Sequence, residues 1–117
     1  MIRVIYSELD GPEGLTLRLE ASGHAGYAPA GQDIVCAGAS TLALTLGRAA
    51  ALMEEEEMLA RPALVRLEAG DTAISVLPRR EWASSADAIF WTILLGLSRL
   101  AQAYPQYVQL KGGEQDE

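Results

Sequence analysis

Ile34-Val35-Cys36-Ala37-Gly38-Ala39-Ser40-Thr41-Leu42-Ala43-Leu44-Thr45-Leu46-Gly47-Arg48-Ala49-Ala50-Ala51-Leu52-Met53 runs for the length of a bilayer crossing with a single charged residue. It is either a membrane span or a core helix, and everything else about the fold depends on which. Ser40, Thr41, Thr45 and Arg48 interrupt the apolar run, Asp33 and Glu54 to Glu57 flank it, and neither end carries the Lys/Arg cluster that orients a membrane helix. The stretch therefore reads as a helix of a soluble domain, with no membrane partner. Asp33 is its N-cap, it runs to about Glu57, and it is expected to be buried along most of its circumference. The four glutamates at its end oppose the helix dipole and predict a frayed last turn.

Upstream of that helix, Ile2 to Leu9 and Leu15 to Ser22 alternate as strands, joined by the turn-forming Asp10-Gly11-Pro12-Glu13-Gly14. Downstream, Ala63 to Ala69 and Thr72 to Leu77 predict a hairpin about Gly70-Asp71, closed by Pro78. A second helix from Ser84 or Ser85 to Tyr104 carries a core stripe of Ala86, Ile89, Phe90, Ile93, Leu94, Leu97 and Ala101. Pro105 stops it, and Tyr107 to Lys111 forms a short last strand. The fold class expected is α+β, a small, mainly antiparallel sheet of four or five strands with two helices packed on one face. One domain spans 1–111, and 112–117 is a solvated tail. Trp82, Trp91 and Tyr104 read as core or interface. Trp91 and Leu95 lie outside the core stripe, and a small sheet has edges to protect, so a homodimer is expected.

The 117 residues contain 9 Lys+Arg against 16 Asp+Glu, a net charge of −7. That balance disfavours direct nucleic-acid binding and favours a basic protein partner. There is one Cys, one His and no Asn. These counts exclude an internal disulfide and a Cys-His-Asn triad and disfavour a zinc or iron site, so no metal and no cofactor is expected. The lone thiol and the absence of a basic, apolar leader at the N-terminus indicate a cytoplasmic protein.

The sole His and the sole Cys fall in one segment, Gly23-His24-Ala25-Gly26-Tyr27-Ala28-Pro29-Ala30-Gly31-Gln32-Asp33-Ile34-Val35-Cys36-Ala37-Gly38-Ala39-Ser40. With Asp33 as N-cap, Cys36 is the third helical residue, in the turn whose free N–H groups and positive dipole end favour a thiolate. His24, at the end of a strand, can take and give a proton near neutral pH. Cys36 is then nucleophile and His24 general base and acid, with helix-start N–H groups as candidates for the oxyanion. The stretch Ala25, Gly26, Tyr27, Ala28, Pro29, Ala30, Gly31, Gln32 reads as a mobile loop that orders over substrate. Asp33 caps the helix, and Ser40, one helical turn beyond Cys36 on the same face, can hydrogen-bond near the site. Each residue also has a plainer reading: Cys36 as an inert core thiol, His24 as a turn residue, Asp33 as a cap only, Ser40 as a space filler.

The motif formed by Gly23-His24-Ala25 and Gly31-Gln32-Asp33-Ile34-Val35-Cys36-Ala37-Gly38-Ala39-Ser40, with His24 and Cys36 twelve positions apart, resembles the signature of the bacterial ribosomal-processing cysteine proteases, the Prp family. Gly38 stands where many members have Ala, a small-for-small change. The resemblance implies a cytoplasmic, homodimeric cysteine endopeptidase with a His24–Cys36 dyad and with Asp33 and Ser40 as supporting residues. It would remove the N-terminal extension of large-subunit ribosomal protein twenty-seven after a pair of Phe residues, as ribosome assembly and function require. The implied partner is that extended ribosomal protein. A non-catalytic ribosome-assembly or interaction module with structural Cys and His is the alternative, and a thiol amidase acting on a small molecule would share the dyad.

Overall fold

The first strand, β1 (Ile2–Gly11), buries Ile2, Val4 and Tyr6 and exposes Arg3 and Ile5, the two-residue period of a strand with one covered face. In the computed structural model, which describes residues 1–112, it turns at Pro12-Glu13 into β2 (Gly14–Ser22), pairing Tyr6 with Leu19 and Glu8 with Leu17. Both strands run two residues or less further into the turn than alternation alone predicts, because Gly11 and Gly14 still pair. Next come α1 (Ile34–Glu55), β3 (Leu64–Glu68), β4 (Asp71–Val76), α2 (Ala83–Ala103, entered through a short 3₁₀ turn at Arg80–Trp82) and β5 (Val108–Lys111).

The sheet order is β3-β4-β2-β1-β5, antiparallel throughout except where β5 joins β1 in parallel, Val4 beside Leu110. The chain crosses over twice. α1 carries it from β2 past β4 to β3, and α2 carries it from β4 past β2 and β1 to β5. The helices lie side by side on the face that bears Val4, Leu17, Leu19, Ile74 and Val76. The expected α+β class and five-strand sheet are what the structure has. Just past the end of β5, Gly112 is buried against the Tyr6 backbone. The rest of the tail, 113–117, lies outside the described residues.

Two expectations about α1 need correction. Its buried residues are Val35, Ala39, Ala43, Leu46, Gly47, Ala50 and Met53, a single stripe rather than most of the circumference. A helix in a two-layer fold has a sheet beneath it and one helix beside it. Its outer face, including Leu44 and Leu52, is left exposed. By length and composition α1 is also apolar enough to cross a membrane. The end of α1 is closed rather than simply frayed. Glu57 takes φ 58°, its N–H donates to the Glu54 carbonyl at 3.1 Å, and the Met58 N–H donates to the Met53 carbonyl at 2.9 Å. This is a Schellman cap with a glutamate in the left-handed position that glycine usually takes. Glu57→Gly relieves that strain and removes a charge that opposes the dipole. It is expected to stabilise the fold by about 1 kcal/mol, read as a higher Tm. A lower Tm would contradict this account.

In α2 the expected stripe holds at Ala86, Phe90, Ile93, Leu94, Leu97 and Ala101, with Ile89 at its margin. Trp91, expected outside the stripe, packs on the core with its ring centroid 6.4 Å from that of Tyr6. Trp82 is exposed in the 3₁₀ turn. The β3–β4 turn is Ala69-Gly70, one residue earlier than expected, because Glu68 pairs with Asp71 and makes Asp71 the first residue of β4.

Candidate active site

One end of the sheet gathers the C-terminus of β2, the N-terminus of α1 and the β3–β4 turn. His24 is the second residue after β2, with Gly23 between. The Gly23 N–H donates to the Gly70 carbonyl at 3.0 Å, and the His24 carbonyl accepts from the Met1 ammonium at 2.6 Å. The backbone on both sides of His24 is thereby fixed, while its imidazole is exposed.

Asp33 does more than the sequence indicates. Its Oδ1 accepts the Cys36 N–H at 2.9 Å, as an N-cap should. Its Oδ2 accepts the N–H groups of Tyr27 and Ala28, at 3.0 and 3.4 Å. One carboxylate therefore starts α1 and ties down the loop before it. The Cys36 N–H, followed by those of the loop, holds this carboxyl below the usual carboxylate range. A carboxyl with a lowered folded-state value stabilises the fold above the ordinary range near pH 4, and that contribution is lost as the pH falls through the folded value. Asp33→Asn is expected to melt below the unaltered protein at pH 7, with the gap closing by about pH 2. Thermal melts across that range test the assignment, and a gap independent of pH would overturn it.

The loop is clasped a second time. The Tyr27 ring meets Tyr104 and Tyr107 edge-on, with centroids 5.5 and 5.2 Å apart, and Ala25 is buried. Pro29 and Gln32 close a turn through a 2.9 Å hydrogen bond. What stands out in solvent is the tip, Pro29, Ala30, Gly31 and Gln32.

Cys36 is half-buried and free. His24, Cys36 and Ser40 together border two hollows. The larger, of about 530 Å³, lies under the loop and is walled mainly by small residues, Gly26, Ala28, Ala30, Gly31 and Ala37, with Ile34 and Gln32. The smaller, of about 170 Å³, lies toward the β3–β4 turn and is bordered by Ala39, Ala43, Glu68, Gly70, Asp71 and Thr72. His24, Cys36, Asp33, Ser40 and the loop are thus gathered at one place. Among the described residues no hydrogen bond joins the imidazole to the thiol, and no cluster of metal-ligating side chains occurs. The Cys36 N–H is occupied by Asp33, so it is not among the free donors expected at the helix start.

Sequence reasoning missed the tyrosine clasp and the turn beneath His24. Tyr104, expected in the core or an interface, packs partly buried against the core, but neither it nor Tyr107 is legible in the sequence as a partner of Tyr27. A further hollow of about 440 Å³ lies at the other end of the sheet, where Glu8, Asp87 and Trp91 face one another. Desolvation, then the Glu8 charge, push the Asp87 carboxyl up, but neither thiol nor imidazole lies there.

The family model for cysteine protease Prp matches residues 1–109. A comparison with curated proteins finds no match. Among solved structures, the chain is similar to the essential ribosomal processing protease Prp from S. aureus with a covalently linked product peptide. The TM-score is 0.67 and the identity 22%, over 95% of this chain and 98% of that one. It is similar to the same S. aureus protease with a substrate peptide at TM-score 0.63 and 21% identity, covering 96% and 100%. SMU.848 from Streptococcus mutans has TM-score 0.63 and 27% identity, covering 95% and 92%.

Proposed function

From the premise that the chain belongs to the cysteine protease Prp family, we propose that it is a cytoplasmic His–Cys endopeptidase that removes the N-terminal extension of large-subunit ribosomal protein twenty-seven. The observation that carries this reading is that the sole imidazole and the sole thiol, delivered by different elements, border the same two hollows. The S. aureus protease of the same fold is a ribosomal processing protease that holds a substrate peptide in one structure and a covalently linked product peptide in another, which supports this substrate class.

In the reaction, the Cys36 Sγ attacks the scissile carbonyl carbon and the carbonyl π electrons move to oxygen. On collapse the C–N bond breaks, and the proton held by His24 goes to the departing amine. Water then attacks the thioester, His24 takes its proton, and the acid is released with Cys36 restored. With the Cys36 N–H bonded to Asp33, the oxyanion falls to other donors at the mouth of the cleft. Asp33 and Ser40 support the dyad, Asp33 by joining α1 to the loop and Ser40 by bordering both hollows. The loop tip orders over the bound peptide, and the small-residue wall of the larger hollow leaves room for a bulky aromatic side chain of the substrate. A charge of −7 steers a basic ribosomal protein toward the enzyme.

The working form is a homodimer, which exposed Leu44, Leu52 and Leu95 on the helices support. Light scattering is expected to give twice the 12.5 kDa of one chain. The function itself is tested by incubating the protein with ribosomal protein twenty-seven bearing its extension and weighing the products by mass spectrometry. Two fragments divided after the Phe pair are expected. An intact substrate, together with a Cys36 thiol inert to iodoacetamide, would favour the non-catalytic binding module instead.

A further inference from the structure

We propose that Gly70, at the tip of the β3–β4 hairpin, is the positioning residue for the His24 imidazole, which rests on the bare Cα of this turn. The proposal depends on the reading above in which His24 is the proton carrier. A Cβ placed on Gly70 would lie 2.7 Å from His24 Nε2 and 3.0 Å from Cε1, so the ring occupies the space that a side chain would fill and would have to shift to admit one. Gly47 and Gly96 likewise leave their Cβ space to a side chain, of Leu67 and Leu42, but among the described residues Gly70 is the one that leaves it to an imidazole. Gly26 and Gly31 also have positive φ, yet a Cβ at either meets nothing within 4 Å, so glycine there serves only the backbone. The same turn holds the residue before His24 through the Gly23 N–H to Gly70 carbonyl bond.

Among the described residues no side-chain hydrogen bond reaches the imidazole. The chain has no Asn, and of the two carboxylates bordering the same hollow, Glu68 and Asp71, the latter has its Oδ1 bonded to Arg66 at 3.0 Å. The ring is oriented by shape, against a surface that only glycine leaves open. A side chain at 70 pushes the end of a flexible histidine rather than the backbone, so the fold survives while the imidazole moves.

Gly70→Ala tests this, and Gly70→Asn tests it with a residue that accepts positive φ more readily and still brings a Cβ. Because His24 is the only histidine, its ring gives a single pair of imidazole cross-peaks in a proton–carbon NMR spectrum. In both variants that pair is expected to shift while most amide signals stay in place. The kcat for the extended ribosomal protein is expected to fall by about 10- to 100-fold, with KM within about threefold. Gly14→Ala, which strains a positive-φ turn at the opposite end of the sheet, is the control, and should lower Tm with kcat and the imidazole signals unchanged. Folded Gly70 variants with unmoved imidazole signals overturn the proposal, whether or not kcat falls. Full cleavage by His24→Ala overturns the catalytic reading on which it rests, and the proposal with it. Loss of cleavage in His24→Ala beside full activity in the Gly70 variants overturns the role of Gly70 alone.

Discussion

Cys36→Ala is expected to lower cleavage of the extended ribosomal protein at least about a thousandfold while the protein melts close to the unaltered temperature. The chemistry loses its only thiol, so no residual nucleophile of the same kind exists in the chain. The structure loses little. Cys36 is half-buried, and the cap that starts α1 is made by its backbone N–H rather than its side chain, so Asp33 keeps its 2.9 Å bond whatever stands at 36. Cys36→Ser should be equally inactive, because a hydroxyl is far less readily ionised, and a weaker nucleophile, than the thiol it replaces. Product formation followed by mass spectrometry, beside a thermal melt of each variant, separates loss of chemistry from loss of fold. Full activity in Cys36→Ala would end the proposed mechanism.

The largest loss of stability is expected at Phe90. Its side chain is fully buried, on the α2 stripe that faces the sheet, and its ring centroid lies 6.2 Å from that of Tyr6 on β1. Phe90→Ala removes a ring from between the two layers at once and leaves a cavity that neither the sheet nor α2 can close without moving its own backbone. The cost is about 3–5 kcal/mol, against a total of about 5–15 kcal/mol for a domain of this kind. Urea titration should show a lower midpoint at an unchanged slope, the mark of lost stability rather than an altered unfolded state. A loss below about 1 kcal/mol would mean that α2 sinks into the gap, and that the layers are less rigidly spaced than this packing implies.

The parts of the fold set by local patterning were legible in the sequence. The 3.6-residue stripe of α2, the alternation of β1 over Ile2 to Tyr6 and of β2 over Leu17 to Glu20, and Asp33 as the start of α1 each depend on residues a few positions apart, and each holds in the structure, whereas Leu9 and Leu15 beside the turn are exposed and Thr16 is buried. The outward face of α1 was not legible, because apolar residues all round a helix do not say how many sides have neighbours. The left-handed cap at Glu57 was hidden because the residue is not the one that conformation favours. At the site, the motif brought His24 and Cys36 to notice, but their surroundings come from far along the chain. Gly70 reads only as a turn glycine until the β2–β4 pairing sets it beside the imidazole, and neither Tyr104 nor Tyr107 reads as a partner of Tyr27 until α2 brings them to it.

The same separation has a consequence for when the protein becomes competent. Both reactive groups lie in the first third of the chain, whereas the turn that seats the ring and the tyrosines that clasp the loop lie in the last half. The β1–β2 hairpin is local, but the β2–β4 pairing and the parallel β1–β5 pairing close long stretches of chain, and such contacts form late. A chain emerging during synthesis therefore carries its thiol and imidazole before it holds the surfaces that aim them. On the proposed mechanism, the nascent chain is expected to stay inactive until the β2–β4 and β1–β5 pairings close.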